Sequence, residues 1–131
     1  MNQEDNKLLI KDLSARLPYG VKGIITYDES NTTFTVEGID NIVLHLSDAE
    51  ECYVEDFKPY LRPMSSMTEE EKEEYKTISI WGEVRESKSH YTDICPTIEG
   101  YDWLNAHHFD YRGLIEKGLA LQAPEGMYNI K

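Results

Sequence analysis

The stretch WLNAHHFDYRGL, Trp103 to Leu114, gathers two adjacent histidines, an aspartate, a tyrosine and an arginine into a short segment. These residue types could do chemistry. A histidine whose ring is oriented by a carboxylate can act as a general base, and His107 or His108 beside Asp102 or Asp110 would supply that pair. Tyr111 would then be the acid and Arg112 a clamp for an anion. Spacing argues against a metal: neighbouring residues on a helix point to different faces, whereas helical zinc pairs stand four apart. Asp110 falls past the expected helix end and His90 falls in a loop, so no third ligand stands at a recognised spacing. The chain has no GxSxG, GxxxxGK or HExxH motif. No metal or cofactor is therefore expected, and catalysis by His107, His108, Asp110, Tyr111 and Arg112 is the lesser of two readings.

The other reading gives each of these residues a structural task. Thr97, after Pro96, could cap a helix with Ile98, Tyr101, Leu104 and His108 on one stripe and Trp103 and His107 on the next. Asp110 is a natural N-cap for a second, short helix in DYRGLIEKG, with Lys117 in its last turn and Gly118 at its end, and Arg112 can pair with an acid. On this reading at least one imidazole is covered, and Trp103 and Leu104 lie in the core.

The elements that must position this cluster can be read from periodicity. A chain of 131 residues suits one domain, here 1–131, and buries roughly two thirds of its unfolded surface. Leu9, Leu13 and Leu17 recur every four residues, with acids early and Pro18 and Gly20 behind them, which predicts a helix over 4–17. From Val21 the pattern turns to β-branched alternation. VKGIITY and TFTVEG form a hairpin across DESN, Ile42 to Leu46 a third strand, and CYVEDF a fourth, giving an antiparallel sheet over 21–58. Pro59 and Pro63 then predict an extended strap over 59–67. Thr68 and Glu71 have the spacing of a capping box and open a helix over 68–77. Glu83 to Cys95 reads as an exposed loop, and 97–122 as helix, short helix and final strand around Leu119 and Leu121. The expected class is α+β: a small curled antiparallel sheet, SH3-like or a half-open barrel, with an N-terminal helix and two or three C-terminal helices.

Charge is the least ordinary bulk property. The formal net charge is −12, and residues 21–60 hold nine acids (Asp28, Glu29, Glu37, Asp40, Asp48, Glu50, Glu51, Glu55, Asp56) against two lysines. Such a surface repels phosphate backbones, so direct nucleic-acid binding is disfavoured. It favours a basic partner, including the basic groove of a nucleic-acid-binding protein. The longest apolar run, Ile42 to Leu46, is interrupted by His45, so no membrane span is expected. The acidic start lacks the basic segment of a signal peptide, and Cys52 and Cys95 have no CxxC partner and read as reduced thiols. A cytoplasmic location is expected; oligomeric state is not legible.

LPYGVKG, KPYLRPMSSMTEEEKEEY and DWLNAHHFDYRGLIEKGLALQAPEGMY together resemble a group of short, functionally uncharacterised proteins of gut Bacteroides-type genomes and their phages or prophages. The resemblance covers about half the chain, and 24–52 and 80–96 do not share it. It implies a bacterial or phage protein carried with mobile DNA, but no activity, so no residue role transfers. The sequence as a whole favours a non-catalytic accessory protein that binds other proteins through the nine acids above; the alternative is a small enzyme or ligand-binding domain built on His107-His108/Asp110/Arg112.

Overall fold

The computed structural model describes residues 3–79 and 98–128. Helix α1 spans Gln3–Arg16, within a residue of its expected bounds at each end, and buries Leu9 and Leu13 completely. The same face of α1 also buries Asp12 and Arg16, at the third and seventh positions after Leu9. A 3-10 turn, Leu17–Tyr19, follows and closes on Gly20, whose left-handed backbone (φ 70°) glycine adopts without steric penalty.

Six strands form one sheet in the order β4-β3-β2-β1-β5-β6: β1 Lys22–Ile25, β2 Phe34–Asp40, β3 Val43–Leu46, β4 Glu51–Tyr53, β5 Phe57–Leu61 and β6 Leu121–Gln122. The first four are an antiparallel meander, as periodicity indicates, and Phe34, Val36, Leu44 and Leu46 point into the core. Ile42, the first residue of the expected third strand, sits in the β2–β3 turn and is 45 % exposed. The expected fourth strand is interrupted: after Tyr53 the chain makes a 3-10 turn, Val54–Asp56, and only then enters β5.

Two expectations need correction. The sheet is mixed, because β6 pairs parallel to β5, and with β4 and β6 at its two edges it does not close into a barrel. The predicted strap over 59–67 is instead, in its first part, a strand flanked on both sides, since β5 runs between β1 and β6. Proline is tolerated there for a geometric reason. The Thr26 amide donates to the Asp56 carbonyl, so the two-residue alternation of the ladder makes Ile24–Lys58 a hydrogen-bonded pair and leaves Gly23–Pro59 without bonds. On the other side the pairing with β6 begins after Pro59, at Tyr60 and Leu61. No partner asks for the N–H that Pro59 lacks.

Gly23 allows Phe57 to lie over the β1–β5 pair. A β-carbon at Gly23 would stand 2.5 Å from the Lys58 carbonyl oxygen and 2.5 Å from the Phe57 ring. The main core joins α1 to the inner face of the sheet, with Leu114, Leu119 and Ala120 closing it.

Helix α2 spans Glu69–Ser79 and opens with the expected capping box: the Thr68 amide donates to Glu71 Oε1 at 3.0 Å, and the Glu71 amide to Thr68 Oγ1 at 3.1 Å. Helix α3 spans Ile98–Ala106 and builds a second cluster from Trp103 and Leu104, with Phe109 from beyond its end. The second short helix expected in DYRGLIEKG is a run of turns. Thr97 as a cap, Cys95, His90 and the expected loop Glu83 to Cys95 lie outside the described residues. Among the described residues no helix is long and apolar enough to cross a membrane.

Candidate functional site

The two histidines do not share the helix they were expected to occupy. Helix α3 ends at Ala106, and the chain leaves it through a reversed loop: the Phe109 amide donates to the Leu104 carbonyl and the His108 amide to the Asn105 carbonyl. That pair of bonds defines a Schellman stop, with His108 at the left-handed position (φ 61°) where glycine is usual. The accompanying apolar contact is present, because Phe109 and Leu104 belong to one cluster. The strained backbone throws the two imidazoles in different directions.

His107 stacks on Trp103, with ring centroids 4.0 Å apart, and its Nδ1 lies 2.9 Å from the Trp103 carbonyl. His108 is 2 % exposed, stacks on Tyr128 at 3.7 Å and hydrogen-bonds the backbone of Tyr19. Burial, and then the positive charge of Arg16, push its pKa down to about 3. An imidazole that resists protonation this strongly is a neutral packing group near neutral pH. Tyr128, which covers it, accepts a hydrogen bond from the Lys22 amide and donates one to the Tyr60 carbonyl, both at 2.8 Å. One side chain thus ties the C-terminal segment to β1 and β5.

Asp110 caps, but it caps turns instead of a helix. Its two carboxylate oxygens accept from the amides of Leu114 at 2.8 Å and Ile115 at 2.9 Å, which holds Leu114 in the core. Tyr111 donates to the Asn105 side chain at 3.0 Å and receives Arg112 Nη2 at 3.1 Å. Arg112 finds its acid on α1: its Nε donates to Asp12 Oδ1 at 3.0 Å. Asp12 also takes a two-toothed contact from Arg16, whose Nη2 reaches on to the Phe109 carbonyl at 2.6 Å. The side chains of Asp110, Tyr111 and Arg112 are therefore occupied by the fold, and His108 is buried with its Nδ1 lacking a hydrogen-bond partner among the described residues. Asp102, the alternative orienting acid, is exposed.

Asp12, Arg16 and Arg62 are the polar residues that sequence reasoning missed. Arg62 makes a paired contact to Glu71 (2.9 and 2.7 Å) and lies 4.1 Å over the Phe109 ring. That guanidinium holds the Glu71 carboxyl below its ordinary range against some opposing desolvation. A signal for the first two was present: Leu9, Asp12, Leu13 and Arg16 share one helical stripe, so the charges stand where only buried residues belong.

The nine acids of 21–60 lie apart from this seam. Asp28 holds its own turn, accepting from the Ser30 amide and hydroxyl. Glu51 pairs with His45 at 3.3 Å. Glu29, Glu37, Asp40, Asp48, Glu50 and Glu55 are exposed, Asp56 is half-buried, and none of these seven makes an ion pair with another described residue. They fall in two groups at opposite ends of the β3–β4 pair: Glu37, Asp48, Glu50 and Glu51 near the β3–β4 turn, and Asp40, Glu55 and Asp56 with Asp28 and Glu29 at the other end. Cys52 is a buried thiol, pushed up to about 11 chiefly by burial. Among the described residues no three His, Cys, Asp or Glu side chains are placed to hold a metal ion.

Comparison with protein-family models, curated proteins and solved structures finds no match.

Proposed function

We propose that the protein is a non-catalytic protein-binding module, a bacterial or phage accessory protein of the cytoplasm, that presents an acidic surface to a basic partner. The partner class includes nucleic-acid-binding proteins, whose basic grooves complement such a surface. One observation carries the reading: Asp110, Tyr111 and Arg112 are spent on holding α1, α3 and the C-terminal turns together and His108 is buried, while Glu29, Glu37, Asp40, Asp48, Glu50 and Glu55 are exposed and make no ion pair with another described residue. The finer architectural reading is an SH3-like sheet. It is supported by the meander from β1 to β4 and by the single 3-10 turn that carries the chain from β4 into β5 beside β1.

The test is capture from a native host lysate on immobilised protein at low and at high salt, with partners identified by mass spectrometry. A basic protein retained at low salt and released at high salt is expected, because exposed charges are screened within about 10 Å at 0.1 M ionic strength. Capture indifferent to salt, or unchanged when Glu37, Glu50 and Glu55 are replaced by Gln, refutes the reading.

A further inference from the structure

We propose that one end of the sheet, where the β1–β2 turn, the β2–β3 turn and the 3-10 turn Val54–Asp56 meet, is a docking surface for an arginine- or lysine-rich segment of a partner protein. This rests on the reading above and gives it a place and a chemistry. Two hydrogen bonds assemble the surface from segments far apart in sequence. The Val54 amide donates to the Ile42 carbonyl and the Thr26 amide to the Asp56 carbonyl, each at 2.8 Å, so a single turn of backbone joins the two hairpin turns.

What this end exposes is apolar as well as acidic. Tyr27 is 66 % exposed, Tyr53 54 % and Ile42 45 %, and these are three of the six large apolar side chains that stand out in solvent among the described residues. Scattered singly they would need no explanation; with Tyr27 and Ile42 on two converging turns and Tyr53 at the end of β4, where it enters the third, they mark an interaction surface. The segments 26–30, 39–43 and 53–56 also carry Asp28, Glu29, Asp40, Glu55 and Asp56 and no basic residue.

That combination selects the occupant. The face of a tyrosine ring attracts a cation, and carboxylates beside it hold a guanidinium through paired, charge-assisted hydrogen bonds. A second copy of this chain would bring the same negative charge to the contact, and a nucleic acid would bring phosphates; both are repelled. A cationic peptide with its long apolar stems satisfies the rings and the acids together.

The experiment is a fluorescence-anisotropy titration of the full chain with labelled octa-arginine, and with labelled octa-glutamate as the control. Wild type is compared with Tyr27→Ala/Tyr53→Ala, which keeps every charge, and with Glu37→Gln/Glu50→Gln at the far end of β3 and β4. Thermal melts establish that each variant is folded; if the tyrosine variant is not, Asp28→Asn/Glu55→Gln takes its place. The expected result is octa-arginine binding that weakens about tenfold in the tyrosine variant and less than about twofold in the far-end variant. Equal weakening in both, or none in the tyrosine variant, overturns the docking site and leaves the general acidic reading standing. Failure of wild type to prefer octa-arginine over octa-glutamate overturns both. Sedimentation that finds a dimer dissolved by the tyrosine substitutions also overturns the proposal, in favour of a second copy.

Discussion

Arg112 and Asp12 stand 100 residues apart in sequence and are joined by a hydrogen bond of 3.0 Å from Nε to Oδ1. The same carboxylate, with no exposed surface, receives Arg16 Nε at 2.8 Å and Nη2 at 3.1 Å. Removing one partner of a buried pair leaves an unpaired charge in a medium that solvates it poorly, which costs about 3–5 kcal/mol. Asp12→Ala should therefore lower the urea midpoint severely. Asp12→Leu/Arg16→Met, which removes both fully buried charges and fills the space, should be more stable than the single variant; a double variant no better than the single one would show that the unpaired Arg16 guanidinium is not the source of the loss.

Stability should fall as acid is added, starting well above the range in which carboxylates titrate. His108 has its pKa depressed to about 3 in the folded protein against an ordinary value of 6.5, so below 6.5 the unfolded chain takes up the proton first. The contribution is fully present above that value and is lost as pH falls toward about 3, at about 1.4 kcal/mol per pH unit. Glu71, lowered from its ordinary 4.5, adds its own loss only further down. Urea midpoints measured between pH 6.5 and 4.5 should decline for wild type, and His108→Gln should flatten that slope whatever its effect at pH 7.

Trp103 is 7 % exposed and touches three rings: Tyr75 at 5.4 Å, His107 at 4.0 Å and Phe109 at 5.7 Å. Trp103→Ala should cost about 3–5 kcal/mol and lower the melting temperature accordingly. Its indole N–H is buried with no acceptor among the described residues, so Trp103→Phe forfeits no hydrogen bond and should cost less than half as much. Equal melting temperatures for wild type and the alanine variant would refute this placement.

Gly23→Ala tests the close packing of β1 on β5. The added methyl meets a backbone carbonyl as well as the Phe57 ring, so the strand must shift, at a cost of about 1–3 kcal/mol. Pairing it with Phe57→Leu should not restore full stability, because the Lys58 carbonyl stays where it is. A denaturant midpoint equal to wild type in the single variant would mean that the strands separate freely there.

How far the sequence could be read depended on whether a residue's role was local. The stripe of Leu9 and Leu13, the Thr68–Glu71 box and the alternation of β2 and β3 are set by neighbours a few positions away, and all were legible. Pro59 misled because its tolerance depends on the register with Gly23, a residue 36 positions earlier by number. His108 misled because a histidine took the left-handed stop normally given to glycine, which hid the end of α3 two residues earlier, at Ala106. Asp110 was read as the N-cap of a short helix; its carboxylate does accept backbone amides, but those of a run of turns. The acid that answers Arg112 was beyond reach from spacing alone, since the contact is made across the fold.

The Asp12–Arg112 bond and the Tyr128 hydroxyl also bear on the order in which the protein can assemble at the ribosome. Helix α1 and the first strands emerge first, yet the carboxylate at the heart of α1 acquires its second guanidinium, and β1 its phenolic tie, only after the most distal part of the domain has been translated. Until then the nascent hairpins must wait with a wet seam, so productive collapse belongs late in synthesis, and a premature stop before Arg112 should release a chain that proteases recognise as unfinished.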